Sequence, residues 1–133
     1  MQQKTFQEKY PVFEMMLPKQ ETSRRDVGQV IEFLREKVMA HPLAAFIATF
    51  DHLAHTRSLP DGEVAEGIVG AQNIVFCFGI KLPGPTVMAV RPRSIGVTEY
   101  ADRFVIDFME PPMPMATEAM EGWVRALKDQ PAD

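Results

Sequence analysis

Cys77 is the only cysteine in the chain, and it lies in NIVFCFGIKLPGPTVMAVRPR, residues 73–93, just ahead of Lys81, Arg91 and Arg93. A thiol is a nucleophile or redox group only as the thiolate, which needs an accessible, electropositive setting. Lys81 and the helix start after Gly84 are the features here that would favour it. In an extended strand, Ile74, Phe76, Phe78 and Ile80 share one face and Val75, Cys77, Gly79 and Lys81 the other. The first set reads as core, and a free cysteine on the second reads first as a small inert packing residue. The same stretch suggests a second chemistry. A glycine-bearing turn, Lys81-Leu82-Pro83-Gly84-Pro85, presents unpaired amides that, with Lys81, Arg91 and Arg93, suit a small anion. No Gly-Lys-Ser/Thr follows, so this is not a phosphate-cradling P-loop.

A third cluster is Asp51-His52-Leu53-Ala54-His55. If the chain turns helical after Asp51, His52 and His55 share a face and could share a metal; if it stays extended they point apart. A structural zinc site takes four ligands and a catalytic one about three. The other donors, Glu63, Glu66 and Cys77, lack motif spacing, so the sequence assigns no metal and leaves His52 as a hydrogen-bonded strand-end residue. His-Glu-x-x-His, Gly-x-Ser-x-Gly and dinucleotide-binding fingerprints are absent. Asp107 and Glu110 are odd-spaced and diverge on a strand, a poor acid–base pair.

The elements that must position these residues follow from apolar periodicity. Residues 10–17, YPVFEMML, read as a strand opened by Pro11, whose missing donor suits a strand's start or an edge. In RRDVGQVIEFLREKVMA, Val27, Val30, Ile31, Leu34 and Val38 form a helical stripe, with Ser23 as N-cap, Asp26 near the dipole's positive end and Pro42 as terminator. Residues 43–52 carry apolar side chains on both faces and predict a central strand. Residues 57–72, with Pro60, Gly62, Gly67 and Gly70, read as a long loop with at most a short helical turn. Residues 73–80 form the next strand, and Pro85 begins a short helix. Strands at 94–100 and 103–109 flank an Ala101-Asp102 turn, and residues 116–129 form a helix capped by Thr117, with Met120, Trp123, Val124 and Leu127 on its stripe. Met109, Met113, Met115 and Met120 suggest soft apolar contacts, in the core or between subunits. The order predicts an α+β two-layer sandwich, with two main helices and a short one on a single, mostly antiparallel sheet of about five strands. A ferredoxin-like ordering is the alternative. Residues 1–133 form one domain, with 1–9 a flexible N-terminal segment.

The 133 residues, 46% hydrophobic and 24% charged, describe an ordinary globular chain rather than a disordered one. A net charge of -4 argues against nucleic-acid binding. No apolar run is long enough to span a membrane, and the N-terminus lacks a secretory signal. One cysteine and no signal predict a cytoplasmic protein.

Phe50-Asp51-His52, the Asn73–Gly79 run, Pro83 and Glu110-Pro111 resemble, in order and approximate spacing, the bacterial family called domain of unknown function 302. In that family a strand ending in Asp-His is followed by one closing on Phe-Gly-Asn-Pro, a short helix and a hairpin. This chain departs from it: Ile80-Lys81-Leu82-Pro83 follows Gly79, and Arg93-Ser94-Ile95 stands where Asp-Leu-Pro precedes the hairpin. The resemblance implies a compact two-layer domain that tends to dimerise, and no settled activity.

The expectation is a non-enzymatic homodimeric module binding a small anionic ligand through Lys81, Gly84, Arg91, Arg93 and His52, in a cleft between loop 57–72 and segment 81–93. Two alternatives stand beside it: sulfur transfer or redox chemistry at Cys77, and a His52/His55 metal site. No cofactor is indicated.

Overall fold

The computed structural model describes residues 1–130. Six strands form one sheet: β1 (Gln2–Phe6), β2 (Tyr10–Pro18), β3 (Ala45–Asp51), β4 (Gly70–Cys77), β5 (Arg93–Glu99) and β6 (Arg103–Met109). Their spatial order is β1-β2-β6-β5-β4-β3, and every neighbouring pair is antiparallel. Three helices accompany them: α1 (Val27–Ala40), α2 (His52–Ser58) and α3 (Pro114–Arg125). The architecture is the α+β two-layer sandwich expected, with six strands rather than five and without a ferredoxin-like order. The extra strand is β1: Gln2–Phe6, read from sequence as part of a flexible segment, folds back on β2, with Gln2 opposite Glu14 and Phe6 opposite Tyr10. Its sequence, QQKTF, has no apolar alternation to betray a strand, because all five residues stay exposed.

Alternation in the strands produces one buried face. Phe104, Ile106 and Phe108 of β6 and Ile95 and Val97 of β5 join Ile74 and Phe76 of β4 in the core. α1 adds Val30, Ile31, Leu34 and Val38, the predicted stripe, and α3 adds Ala116, Met120, Trp123 and Val124. At one end Phe78 stacks on Trp123 with centroids 5.6 Å apart, and His41 meets both rings edge-on. Asp26, not Ser23, caps α1: its carboxylate accepts from the Gln29 amide at 2.9 Å, while Gln29 Oε1 accepts from the Arg25 amide at 2.7 Å. α3 starts two residues before the expected span, and Thr117 lies inside it, its hydroxyl donating back to the Met113 carbonyl rather than capping.

Glu99, buried at the end of β5, ties α1 to the sheet. Its Oε1 accepts from the Val27 amide at 2.8 Å and its Oε2 takes Lys19 Nζ at 2.7 Å, satisfying a free helix-end donor and a charge together. Close packing of α1 on β4 also requires Gly70, where a Cβ would stand 2.8 Å from Val27 Cγ1.

The apolar strand expected at the sheet's centre, β3, is instead an edge, with Ile47 and Phe50 exposed. Two-sided apolarity marks a buried strand only when both faces are covered, and among the described residues α1 and α3 cover the same face and leave the other without them. Among the described residues, no helix is long and apolar enough to cross a membrane.

Candidate functional site

Antiparallel pairing places two sets of chemically interesting residues on opposite faces of the sheet. Even-numbered residues of β1 and β2, and odd-numbered residues of β4 and β6, look out from the bare face. One cross-strand row there runs Gln2, Glu14, Asp107, Gly96, Asn73, Phe50. Glu14 and Asp107 are therefore directly opposed, within the 4.5–5.5 Å of cross-strand neighbours, and their carboxyls share a hydrogen bond. Below about pH 7 a proton on Asp107 lets the two carboxyls face each other without repulsion. Burial first, then the Glu14 carboxylate, pushes Asp107 up to about 7, whereas the Asp107 hydrogen bond and Lys4, at 2.9 Å, hold Glu14 below its ordinary value.

Beside this pair lies a shallow basin of about 260 Å³. Ala71, Asn73, Gly96 and Thr98 floor it, Asp107 forms one wall and His52 the other. The chain does turn helical after Asp51, whose carboxylate caps α2 through the Ala54 amide at 2.9 Å. His52 and His55 then pack around Phe50 with ring centroids 6.4 Å from each other, and His52 Nδ1 is bonded to Thr56 Oγ1 at 3.1 Å. Among the described residues no third His, Cys, Asp or Glu joins them in a group able to hold a metal ion.

Cys77 is half-buried on the bare face opposite Ala45 and does not line the basin. β4 ends at it, so Ile80, assigned to the core face, is exposed in the loop beyond. The cleft expected between loop 57–72 and segment 81–93 does not form. Part of that loop is α2, and the remainder enters β4 at Gly70, whereas Lys81 follows its far end at Cys77; eight extended residues, about 25 Å, separate them. Lys81 and Pro85 are exposed, and Gly84 has open space where a Cβ would be. Lys81 contributes its carbonyl, which accepts from Arg91 at 2.7 Å.

Of the anion candidates, His52 reaches the basin on the bare face and Arg91 and Arg93 share a recess on the other, and Arg93 is the buried one. It sits on the helix-covered face at 8% exposure. Its Nη1 donates to the Val90 carbonyl at 3.0 Å and its Nη2 to the Met109 carbonyl at 2.6 Å, while Nε is shut off from water without an acceptor. Among the described residues no carboxylate forms an ion pair with it, and desolvation lowers its pKa. Arg91 and Arg93, with Phe78, Val87, Met113 and Ala116, line an apolar recess of about 40 Å³. Through common walls at Val90, Arg93, Pro111 and Pro112, the recess adjoins a cleft of about 920 Å³ running along α3 from Pro114 to Arg125. The α3 N-terminus has no side-chain cap, and Pro114 opens the helix. Glu110, Glu118 and Glu121 line the cleft, Glu121 paired with Arg125 at 3.1 Å.

The sequence reading missed Glu14: it weighed Asp107 only against Glu110 and rejected that pair. A signal existed: each is the only acid in a mostly apolar strand, YPVFEMMLP and RFVIDFM. What joins them is register between strands far apart in the chain, which periodicity does not encode.

Comparison with curated proteins and with solved structures gives no match. The resemblance to domain of unknown function 302 is corrected by the family comparison, which supports a different family. The short motifs behind it, Asp-His at a strand end and Phe-Gly at a strand exit, mark strand boundaries here and do not set family membership. Matching along residues 1–129, the chain belongs to the family of unknown function DUF6858.

Proposed function

We propose that this chain is a binding module for a small organic monoanion, held where the recess lined by Arg91 and Arg93 opens into the larger cleft along α3, which Arg93 also lines. The observation that carries the reading is the buried Arg93 guanidinium with an unpartnered Nε and no counter-carboxylate. An uncompensated buried charge costs several kcal/mol, and two backbone carbonyls offset only part of it. The uncapped N-terminus of α3 adds free amides and the positive end of a helix dipole to the same recess. Apolar walls favour a ligand with a hydrophobic body, and the glutamates of the larger cleft disfavour a polyanion such as a nucleotide. Cys77 faces the other side of the sheet, so the reading is one of binding rather than thiol chemistry on that ligand.

The test is a thermal-shift titration with benzoate, and with inorganic phosphate as the small polar comparison. Ligand at ten times its Kd stabilises by about 1.4 kcal/mol, so benzoate should raise Tm by several degrees and phosphate by less. Arg91→Gln, which leaves the Arg93 clamp on β5 and β6 intact, should weaken the response. No shift with either anion would refute the assignment.

A further inference from the structure

The sheet has two large faces, and α1 and α3 cover only one of them. We propose that the bare face is where a second copy of this chain docks, sheet against sheet, about a two-fold axis.

The composition of the face fits a partner. Phe6, Tyr10 and Met16 expose large apolar side chains along its β1–β2 margin, at 54%, 46% and 63%, and Phe50 does so at the β3 margin, at 42%. Between these margins the surface is low, floored by Gly96, Ser94 and Ala71. Large apolar side chains exposed at both margins of one face, around a low floor, suit an interaction surface. Six strands at about 4.8 Å and about seven residues at 3.3 Å give a projected area of about 670 Å² before side-chain relief is counted. That is on the scale of the roughly 800 Å² per partner buried in a standard interface.

The two exposed edges are poorer places to self-associate. The register of β3 slips at a bulge between Phe46 and Ala48, and β1 carries Lys4. Bulges and lysines are the devices that block edge-to-edge pairing. Stacking through the face remains, and an isologous contact needs only that the patch complement itself.

Charge points the same way. Lys4 and Glu14 neutralise each other at 2.9 Å, and the proton shared with Glu14 keeps Asp107 uncharged. The groups facing Asp107 are Glu14 from β2, Lys4 from β1 and His52 from α2 across the basin; β4 and β5 bring only Asn73, Gly96 and Thr98. Below neutral pH the centre of the face thus presents no net carboxylate charge to its copy. Above it, each copy adds one negative charge to a surface being desiccated, and association weakens. The inference is independent of the anion site, which lies on the other face.

Sedimentation of the whole chain, from about 1 to about 100 µM because dimer population follows concentration, tests the proposal. At pH 6 the 15.0 kDa chain should double in mass over that range. Ala48→Arg and Met16→Arg, at exposed positions on opposite margins and checked for unchanged far-UV circular dichroism, should each raise the dissociation constant at least tenfold. Moving to pH 8.5 should weaken the wild-type dimer several-fold, and Asp107→Asn should remove that dependence. Monomer throughout at pH 6, a dimer indifferent to both arginines, or one unchanged between pH 6 and 8.5 would each overturn it.

Discussion

Asp107 makes the stability of the isolated chain depend on pH in a direction opposite to that of most carboxylates. Its folded pKa, about 7, lies above its ordinary 3.8, so between those values the folded chain holds a proton that the unfolded chain has released. The native state binds more protons in that window, and stability therefore falls as pH rises. The contribution is complete below 3.8 and gone above about 7. At about 1.4 kcal/mol per pH unit, the displacement from 3.8 to about 7 sets a ceiling of about 4 kcal/mol. Asp107 is only half-buried, so solvent screening reduces this to about 1–2 kcal/mol. Glu14, held below its usual 4.5, acts in the opposite sense at more acid pH and leaves the window to Asp107. Urea denaturation at dilute concentration, across pH 4.5 to 8, should show a decline of that size. Asp107→Asn keeps the shape and the hydrogen bond to Glu14 and should flatten the profile, making the variant the more stable protein at pH 8. A wild-type profile that is flat or rises with pH, or an Asp107→Asn profile that still declines by the same amount, would refute the shared proton.

Two further predictions concern how α1 is held. Glu99→Ala strands Lys19 Nζ and the Val27 amide together, and breaking a largely buried pair of this kind should cost about 3 kcal/mol, read as a lowered urea midpoint. Gly70→Ala forces a methyl to within 2.8 Å of Val27 Cγ1 and should cost about 1–3 kcal/mol; adding Val27→Ala should recover part of the loss, and failure to recover it would place the strain elsewhere.

The α1 stripe, the β5–β6 hairpin and the two-layer arrangement were legible in the sequence because each is a local periodic pattern that needs one buried face. The alternation across 73–80 also put Ile74, Phe76 and Phe78 in the core correctly. β1 escaped notice because a fully exposed edge strand needs no apolar alternation. The reading of β3 as central failed for a related reason: apolar residues on two faces do not fix a strand's place in the sheet, and Ile47 and Phe50 lie exposed on an edge.

The candidate sites divide along the same line. Arg93 could be singled out from sequence as a basic residue near a glycine-bearing turn, but its value lies in being buried without a counter-ion, a fact of packing. Glu14 and Asp107, on strands at opposite ends of the chain, become a proton-sharing pair only through the β2–β6 register. Local periodicity specifies which side of a strand or helix turns inward, since that depends on neighbours a few residues away. Which strands lie side by side, which face stays bare and which charges meet depend on contacts between distant segments, and those exist only once the sheet has closed.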